Sequence, residues 1–138
     1  MMIRLIYASR SVNLGPMDIK DILASSRANN QQLGVTGALC LANGIFLQCL
    51  EGERAVVNAL YHRILADRRH KGSEILGYEE IVKRTFTGWN MGLIASSNDN
   101  TELFLKYSSV AAFDPFSMSS AGLTEFFQEA LGSARILT

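Results

Sequence analysis

The spacing of hydrophobic and polar positions changes along the chain, and each change marks an element. Ile3 to Ser9 is rich in Ile, Leu and Tyr, with Ile3, Leu5 and Tyr7 on one face, which predicts a first strand. Asn13-Leu14-Gly15 breaks it, and Pro16 suits the first turn of a helix, where a missing N–H costs nothing. The period then becomes helical up to about Asn30. Ile19, Ile22, Leu23, Ser26 and Asn30 fall on one side of that helix, Ile19 and Asn30 only about 20° apart. Gly34 to Gly52 reads as a hairpin, because Asn43-Gly44 supplies the two positive-φ positions of a type I′ turn. Its second strand, Ile45 to Leu50, is apolar on both faces and therefore interior. Glu53 to Ala66 is predicted as a second amphipathic helix with Val56, Val57, Leu60 and Ile64 inward. Lys71-Gly72-Ser73 reads as a break, Glu74 to Arg84 as a strand and Thr87-Gly88 as a turn. Trp89 to Ala95 reads as another strand, with Trp89, Met91 and Leu93 on one face. After the polar linker Ser96 to Asn100 come two short helices, Thr101 to Tyr107 and Ala121 to Leu131. The second sits behind a Ser119/Ser120 cap, and the Phe113-Asp114-Pro115-Phe116 turn separates the pair.

This order predicts an α+β fold, a ferredoxin-like sandwich (βαββαββ) with two helices on a mixed five-stranded sheet and a C-terminal pair of short helices. In that arrangement the first and third strands are taken as parallel neighbours, so Tyr7 and Gln48 lie side by side beneath both long helices.

Against this pattern a few polar residues are misplaced. Gln48 stands among Phe46, Leu47 and Leu50; each amide donor or acceptor left unpaired there would cost roughly 1–3 kcal/mol. A neighbouring side chain, a buried water or a ligand would each satisfy it. Asn30 extends the core-facing stripe of its helix, although Asn29-Asn30 also suits a fraying C-terminus. Arg63 nearly eclipses Val56 and Asp67 follows Leu60 by one heptad, so the second helix turns polar at its end. An Arg63–Asp67 pair is either a surface ion pair or a device that aims the guanidinium at a buried acceptor. Between the helices and the sheet, framed by Ile22, Ile64 and Phe46, these groups would accept a flat heterocycle with carbonyl and imide edges.

Composition narrows the classes. The 138 residues suit one domain, and 13 basic residues cancel 13 acidic ones, which gives no electrostatic footprint for nucleic acid. The short basic runs Arg68-Arg69-His70-Lys71 and Lys83-Arg84 read as solvated turns. No apolar run approaches the ~20 residues of a membrane span, and the N-terminus has no signal-peptide plan, so a cytoplasmic location without membrane attachment is expected. Cys40 and Cys49 fall on a diagonal across the hairpin, about 7–8 Å apart, and are expected to be reduced core residues. His62 and His70 lack ligand-like companions, so no metal is expected.

At family spacing the chain carries Arg4-Leu5-Ile6-Tyr7-Ala8-Ser9, Asn29-Asn30 leading to Val35-Thr36-Gly37, and Phe46-Leu47-Gln48 with Leu50-Glu51-Gly52. Arg63-Ile64, Asp67-Arg68-Arg69-His70 and Trp89-Asn90-Met91 follow. In these it resembles a BLUF domain, a small flavin-binding blue-light sensor. The tail, with Leu105-Lys106-Tyr107-Ser108, Phe113, Pro115 and Met118, is similar to the short PixD type. The resemblance implies FAD bound between the two helices, with Asn30 on the carbonyl and imide edge and Asn29 assisting. It places Arg63 near the pyrimidine end and Ile22 and Ile64 on the two ring faces, with Phe46 and Asp67 completing the cofactor-binding set. Tyr7 is implied as the light-driven electron and proton donor and Gln48 as the relay whose rearranged amide red-shifts the absorption. Trp89 and Met91 are implied as the output route, although an aromatic near a strand start is also ordinary packing. The implied organisation is a photosensor domain over residues 1–96 and a C-terminal cap or output segment over 97–138. No enzymatic output domain is expected to follow, and homo-oligomers and a response-regulator-like partner are implied. The competing readings are a flavin-dependent reductase, disfavoured because no glycine fingerprint for nicotinamide is present, and a ligand-free scaffold.

Overall fold

The computed structural model describes residues 1–94, 98–132 and 136–137. Strand β1 (Met2–Ser11) leads to helix α1 (Asp18–Leu33), hairpin strands β2 (Thr36–Ala42) and β3 (Ile45–Glu53), helix α2 (Arg54–Leu65) and strand β4 (His70–Glu80). A loop then reaches β5 (Gly92–Ile94), and α3 (Asn98–Tyr107), α4 (Ser120–Gly132) and the two-residue β6 (Ile136–Leu137) complete the chain. The sheet order is β4-β1-β3-β2-β5-β6. The α+β sandwich with two helices on a mixed sheet is as expected, with β6 as an additional short strand.

The hairpin forms as the sequence predicts: Asn43 and Gly44 take φ of 52° and 70°, and Cys40 faces Leu47 across it. Strand β3 is interior, flanked by β1 and β2, but its pairing with β1 is antiparallel and not parallel. The reason is topological. Helix α1 returns the chain so that β3, the outgoing arm of the hairpin, inserts between β1 and β2 and runs against both. Tyr7 therefore stands directly opposite Gln48.

Several boundaries move. Pro16 lies in the turn before α1, which starts at Asp18 and extends to Leu33, where Gly34 at φ 68° ends it in left-handed geometry. The predicted break at Lys71-Gly72-Ser73 is inside β4. The register against β1 slips there and again near Leu76, and Gly72 takes φ 63°, so the break is a β-bulge. Strand β4 stops at Glu80, leaving Arg84 in the loop, and β5 spans only three residues. Helix α3 begins at Asn98, inside the predicted linker. Ala95 to Ser97 and the predicted division between residues 96 and 97 lie outside the described residues. Ser119 caps α4 by accepting the Gly122 N–H.

Each sheet face has its own core. Ile3, Leu5, Tyr7, Leu39, Phe46 and Leu50 pack under α1 and α2 with Leu23, Val57, Leu60 and Tyr61. Val56 and Ile64 are only partly buried there. On the opposite face Ile6, Ala8, Ala38, Leu47 and the free thiols Cys40 and Cys49 pack under α3 and α4 with Phe104, Phe113, Leu123, Phe126 and Phe127. Burial pushes the Cys40 thiol up to about 12. Trp89 packs against this second core, whereas Met91 and Leu93 pack in the first, so these three do not share a face as the alternation predicts.

Candidate functional site

Between α1, α2 and the sheet lies a cavity of about 240 Å³. Tyr7 enters from β1, Gln48 and Phe46 from β3, Ile22, Asn29 and Asn30 from α1, Arg63 and Ile64 from α2, and Asp67 from the turn after it. The spacings along α1 explain its share: residues 22, 26, 29 and 30 follow one helical stripe, and the stripe opens on the cavity because its C-terminal half is polar.

Tyr7 and Gln48 are 4% and 5% exposed. The Tyr7 hydroxyl donates to Gln48 Oε1. Gln48 Nε2 lies 3.4 Å from Met91 Sδ, a weak acceptor, and its second N–H has no partner among the described residues. Burial, followed by the neighbouring Tyr61 and Asp67, pushes the Tyr7 phenol well above its ordinary range, so its proton is firmly held. The Tyr61 ring tilts against Tyr7 at 5.3 Å.

Asn30 is 2% exposed and donates through Nδ2 to the Asn90 carbonyl at 2.8 Å. Its Oδ1 has no partner among the described residues. A buried amide oxygen lining a cavity is a ready acceptor for an imide N–H. Gln48 offers a donor from the sheet, and Ile22, Ile64 and Leu60 supply apolar lining. These features fit a flat heterocycle with carbonyl and imide edges. Arg63 is exposed at the cavity and has no ion-pair partner among the described residues.

Asp67 does not pair with Arg63. Its carboxylate accepts from Arg69 at 2.6 Å, and this bond holds Asp67 below the usual carboxylate range. The turn after α2 folds Arg69 back onto Asp67, while Arg63 lies one helical turn away and makes no ion pair among the described residues. Arg69 and His70 line the cavity, so this stretch is not merely a solvated basic turn. His70 Nε2 lies 2.6 Å from the Ile64 carbonyl and Nδ1 lies 2.7 Å from Ser9 Oγ. A carbonyl only accepts, so Nε2 carries a proton there, while Nδ1 and the Ser9 hydroxyl share the second bond. His70 thereby ties the end of α2 to β1. The lone-histidine reading missed this because both partners are distant in sequence or on the backbone. Ser25, Ser26, Leu39 and Leu50 also line the cavity; of these, Ser26 carried a signal in its place on the inward stripe of α1.

Trp89 lies outside this cavity, half-buried and stacked on Phe86 at 5.9 Å. The 89–91 segment is stitched to α1 and β2: Arg27 Nε donates to the Met91 carbonyl at 2.9 Å and the Gly37 N–H to the Trp89 carbonyl at 3.1 Å. Among the described residues no group of three or more His, Cys, Asp or Glu side chains is arranged to hold a metal, and no helix is long and apolar enough to cross a membrane.

Comparison with known proteins agrees with this geometry. Residues 2–92 match the family model described as sensors of blue-light using FAD. The photoactivated adenylate cyclase subunit alpha of Euglena gracilis is 35% identical over 71 residues, 51% of this chain and 7% of that protein. Subunit beta from Euglena longa is 36% identical over 83 residues, 59% of this chain and 10% of that protein. The chain thus spans about a tenth or less of these relatives. Among solved structures, BlsA in its photo-activated state superposes with a TM-score of 0.87 at 32% identity, covering 95% of both chains. The dark state of BlrB, a BLUF protein, gives 0.77 at 29% identity, covering 94% of this chain and 96% of that one. With two-thirds of its length matching the family model, and a cavity whose unpaired amide groups suit a flavin edge, the chain belongs to the BLUF family of flavin-binding blue-light sensors.

Proposed function

We propose that this chain senses blue light through non-covalently bound FAD and reports it by changing its contacts with a separate protein. The observation that carries the reading is the buried hydrogen bond from Tyr7 to Gln48, beside a cavity that the buried Asn30 also lines. In the binding arrangement we infer, Asn30 and Asn29 hold the imide edge, Ile22 and Ile64 cover the ring faces, Arg63 and Asp67 sit toward the pyrimidine end, and Phe46 closes the side.

The bound isoalloxazine supplies blue absorption and, when excited, the oxidising power to draw an electron from a nearby phenol. Tyr7 is the donor. Loss of an electron makes its phenol acidic, and the proton moves along the existing bond to Gln48 Oε1. An amide is suited to this step because it accepts on one side and donates on the other. Once the electron and the proton have both returned to Tyr7, Gln48 would remain rotated or tautomerised. A rearranged amide no longer meets Met91 Sδ as before, and the changed bond, worth roughly 0.5–1.5 kcal/mol, biases the 89–91 segment between two packings. Output then passes from Met91 and Trp89 to the C-terminal segment, 97–138, while 1–96 acts as the sensor.

The reading also takes the protein to be cytoplasmic, homo-oligomeric and without enzymatic activity, acting on a response-regulator-like partner. The Euglena relatives carry a cyclase in their names, which supports reading this chain as the light-sensing part of effector control. The test is an absorption spectrum before and after blue illumination. The wild-type protein is expected to be yellow and to shift reversibly to the red, whereas Tyr7→Phe is expected to keep its colour and lose the shift. A normal photocycle in Tyr7→Phe would remove the assigned donor.

A further inference from the structure

The cap face of the sheet holds a charged group that the photochemistry does not use. Glu51 is fully buried, on β3 three residues beyond Gln48 and therefore on the opposite face. Its cross-strand neighbours are Arg4 on β1 and Thr36 on β2. Arg4 donates to Oε2 through Nε and Nη2 at 3.3 and 3.2 Å, and Thr36 Oγ1 donates to Oε1 at 3.2 Å. The other donors come from the loop between β4 and β5: the Thr85 N–H reaches Oε2 at 2.8 Å and the Phe86 N–H reaches Oε1 at 2.9 Å. Arg4 also donates to Thr85 Oγ1 at 2.6 Å.

A buried carboxylate is costly unless every lone pair is met, and here two backbone N–H groups of a loop supply much of that satisfaction. The loop is held to the sheet by charge-assisted bonds that a neutral side chain would not reproduce. What it carries is equally specific. The Phe86 ring stacks on Trp89 at 5.9 Å and meets Phe127 of α4 edge-on at 5.9 Å. Five residues after Phe86, Met91 touches Gln48. One loop therefore contacts both the photoactive amide and the cap; Glu51 holds its 85–86 backbone, while Arg84 bonded to Thr36, the Glu51 carbonyl and Gly34, and the Gly37 N–H bonded to the Trp89 carbonyl, hold its flanks.

We propose that Glu51 is a positioning residue for signal output: by anchoring the 85–86 backbone it makes the loop a lever with Met91 at one end and Phe86 against α4 at the other. This deepens the sensor reading and rests on it. Movement at Met91 reaches α4 through the Phe86–Phe127 contact only while the 85–86 pivot is fixed. With the pivot loose, the loop absorbs the shift locally.

The test uses the full chain loaded with FAD and reads two quantities, the light-induced red shift and the light-minus-dark difference in amide hydrogen exchange over α4. In the wild type both are expected. In Glu51→Gln, whose amide keeps one acceptor oxygen but turns an NH2 toward either the Thr85 or the Phe86 N–H, one loop bond and the charge are lost; the red shift is expected to persist and the α4 difference to be lost. Phe86→Leu keeps the anchor and removes the aromatic contact; it is expected to show the same loss, and it decides the matter if Glu51→Gln does not fold. A wild-type α4 difference that persists in Phe86→Leu, or in folded Glu51→Gln, overturns the proposal and leaves the sensor reading standing. So does a wild type that red-shifts without any light-dependent change in α4. A wild type with no red shift removes the sensor reading itself, and this inference with it.

Discussion

At the scale of single residues, the proposed chemistry requires Tyr7 to keep its proton in the dark and to give it up only when oxidised. Its phenol is raised by burial first and by Tyr61 and Asp67 next. A raised folded value means that the native state favours the neutral phenol. The contribution is whole below the ordinary phenol value of about 10 and is lost as the pH climbs through the folded value. In a phenolate absorbance titration of the chain's four tyrosines, Tyr7 is expected to ionise only as the protein unfolds in alkali. Tyr7→Phe is then expected to lessen the alkaline loss of stability. Ionisation of Tyr7 near pH 10 in the folded protein would contradict the burial argument. Gln48 was legible from the sequence as a polar group in an apolar strand, and Asn30 as the polar end of an apolar stripe. Glu51 was not legible as a pivot, because half of its partners are backbone N–H groups of a loop 34 and 35 residues away.

At the scale of elements, the hairpin fixes the site. Residues Asn43 and Gly44 set its register, the register sets which side chains of β3 face α1 and α2, and β1 completes the pair by bringing Tyr7 opposite Gln48. Gly37 is the tightest point of this construction, since a Cβ there would stand 1.9 Å from the Cys49 carbonyl oxygen. Its N–H also holds the Trp89 carbonyl. Gly37→Ala forces β2 away from β3 and is expected to cost about 1–3 kcal/mol or more, read as a lower denaturation midpoint in urea. A variant as stable as the wild type would mean that the two strands separate without strain. Strand β4 was the element hardest to read. Its bulges interrupt the alternation, and a glycine at positive φ within a strand has the same local signature as a turn.

At the scale of the whole molecule, the sheet divides two cores with different duties. The α1–α2 side leaves room for a ligand, whereas the α3–α4 side is filled by aromatic rings, Phe126 meeting Phe104, Phe113, Phe127 and Tyr107. Phe126→Ala is therefore expected to cost about 3–5 kcal/mol and to lower Tm, yet to leave flavin stoichiometry intact below the transition. Loss of flavin from the folded variant would show that the two faces are not separable. The Arg10 guanidinium, 4.7 Å from the Phe116 ring, adds a tie between β1 and the cap. A cap fastened to the sheet at its edge and through Phe86 is well placed to register small movements of β5 and its loop.

By itself the sequence determined what is encoded locally: the type I′ turn, the two amphipathic helices, the interior character of β3, and the presence of polar side chains where apolar ones belong. Those features follow from backbone geometry and from spacing within a dozen residues. Only the tertiary structure decided the antiparallel run of β1 against β3, the choice of Arg69 and not Arg63 as the partner of Asp67, the separation of Trp89 from Met91 onto different cores, and the burial of Glu51 beneath the 85–86 loop. Each of these depends on which distant segments meet, and that is settled by the packing of both sheet faces at once.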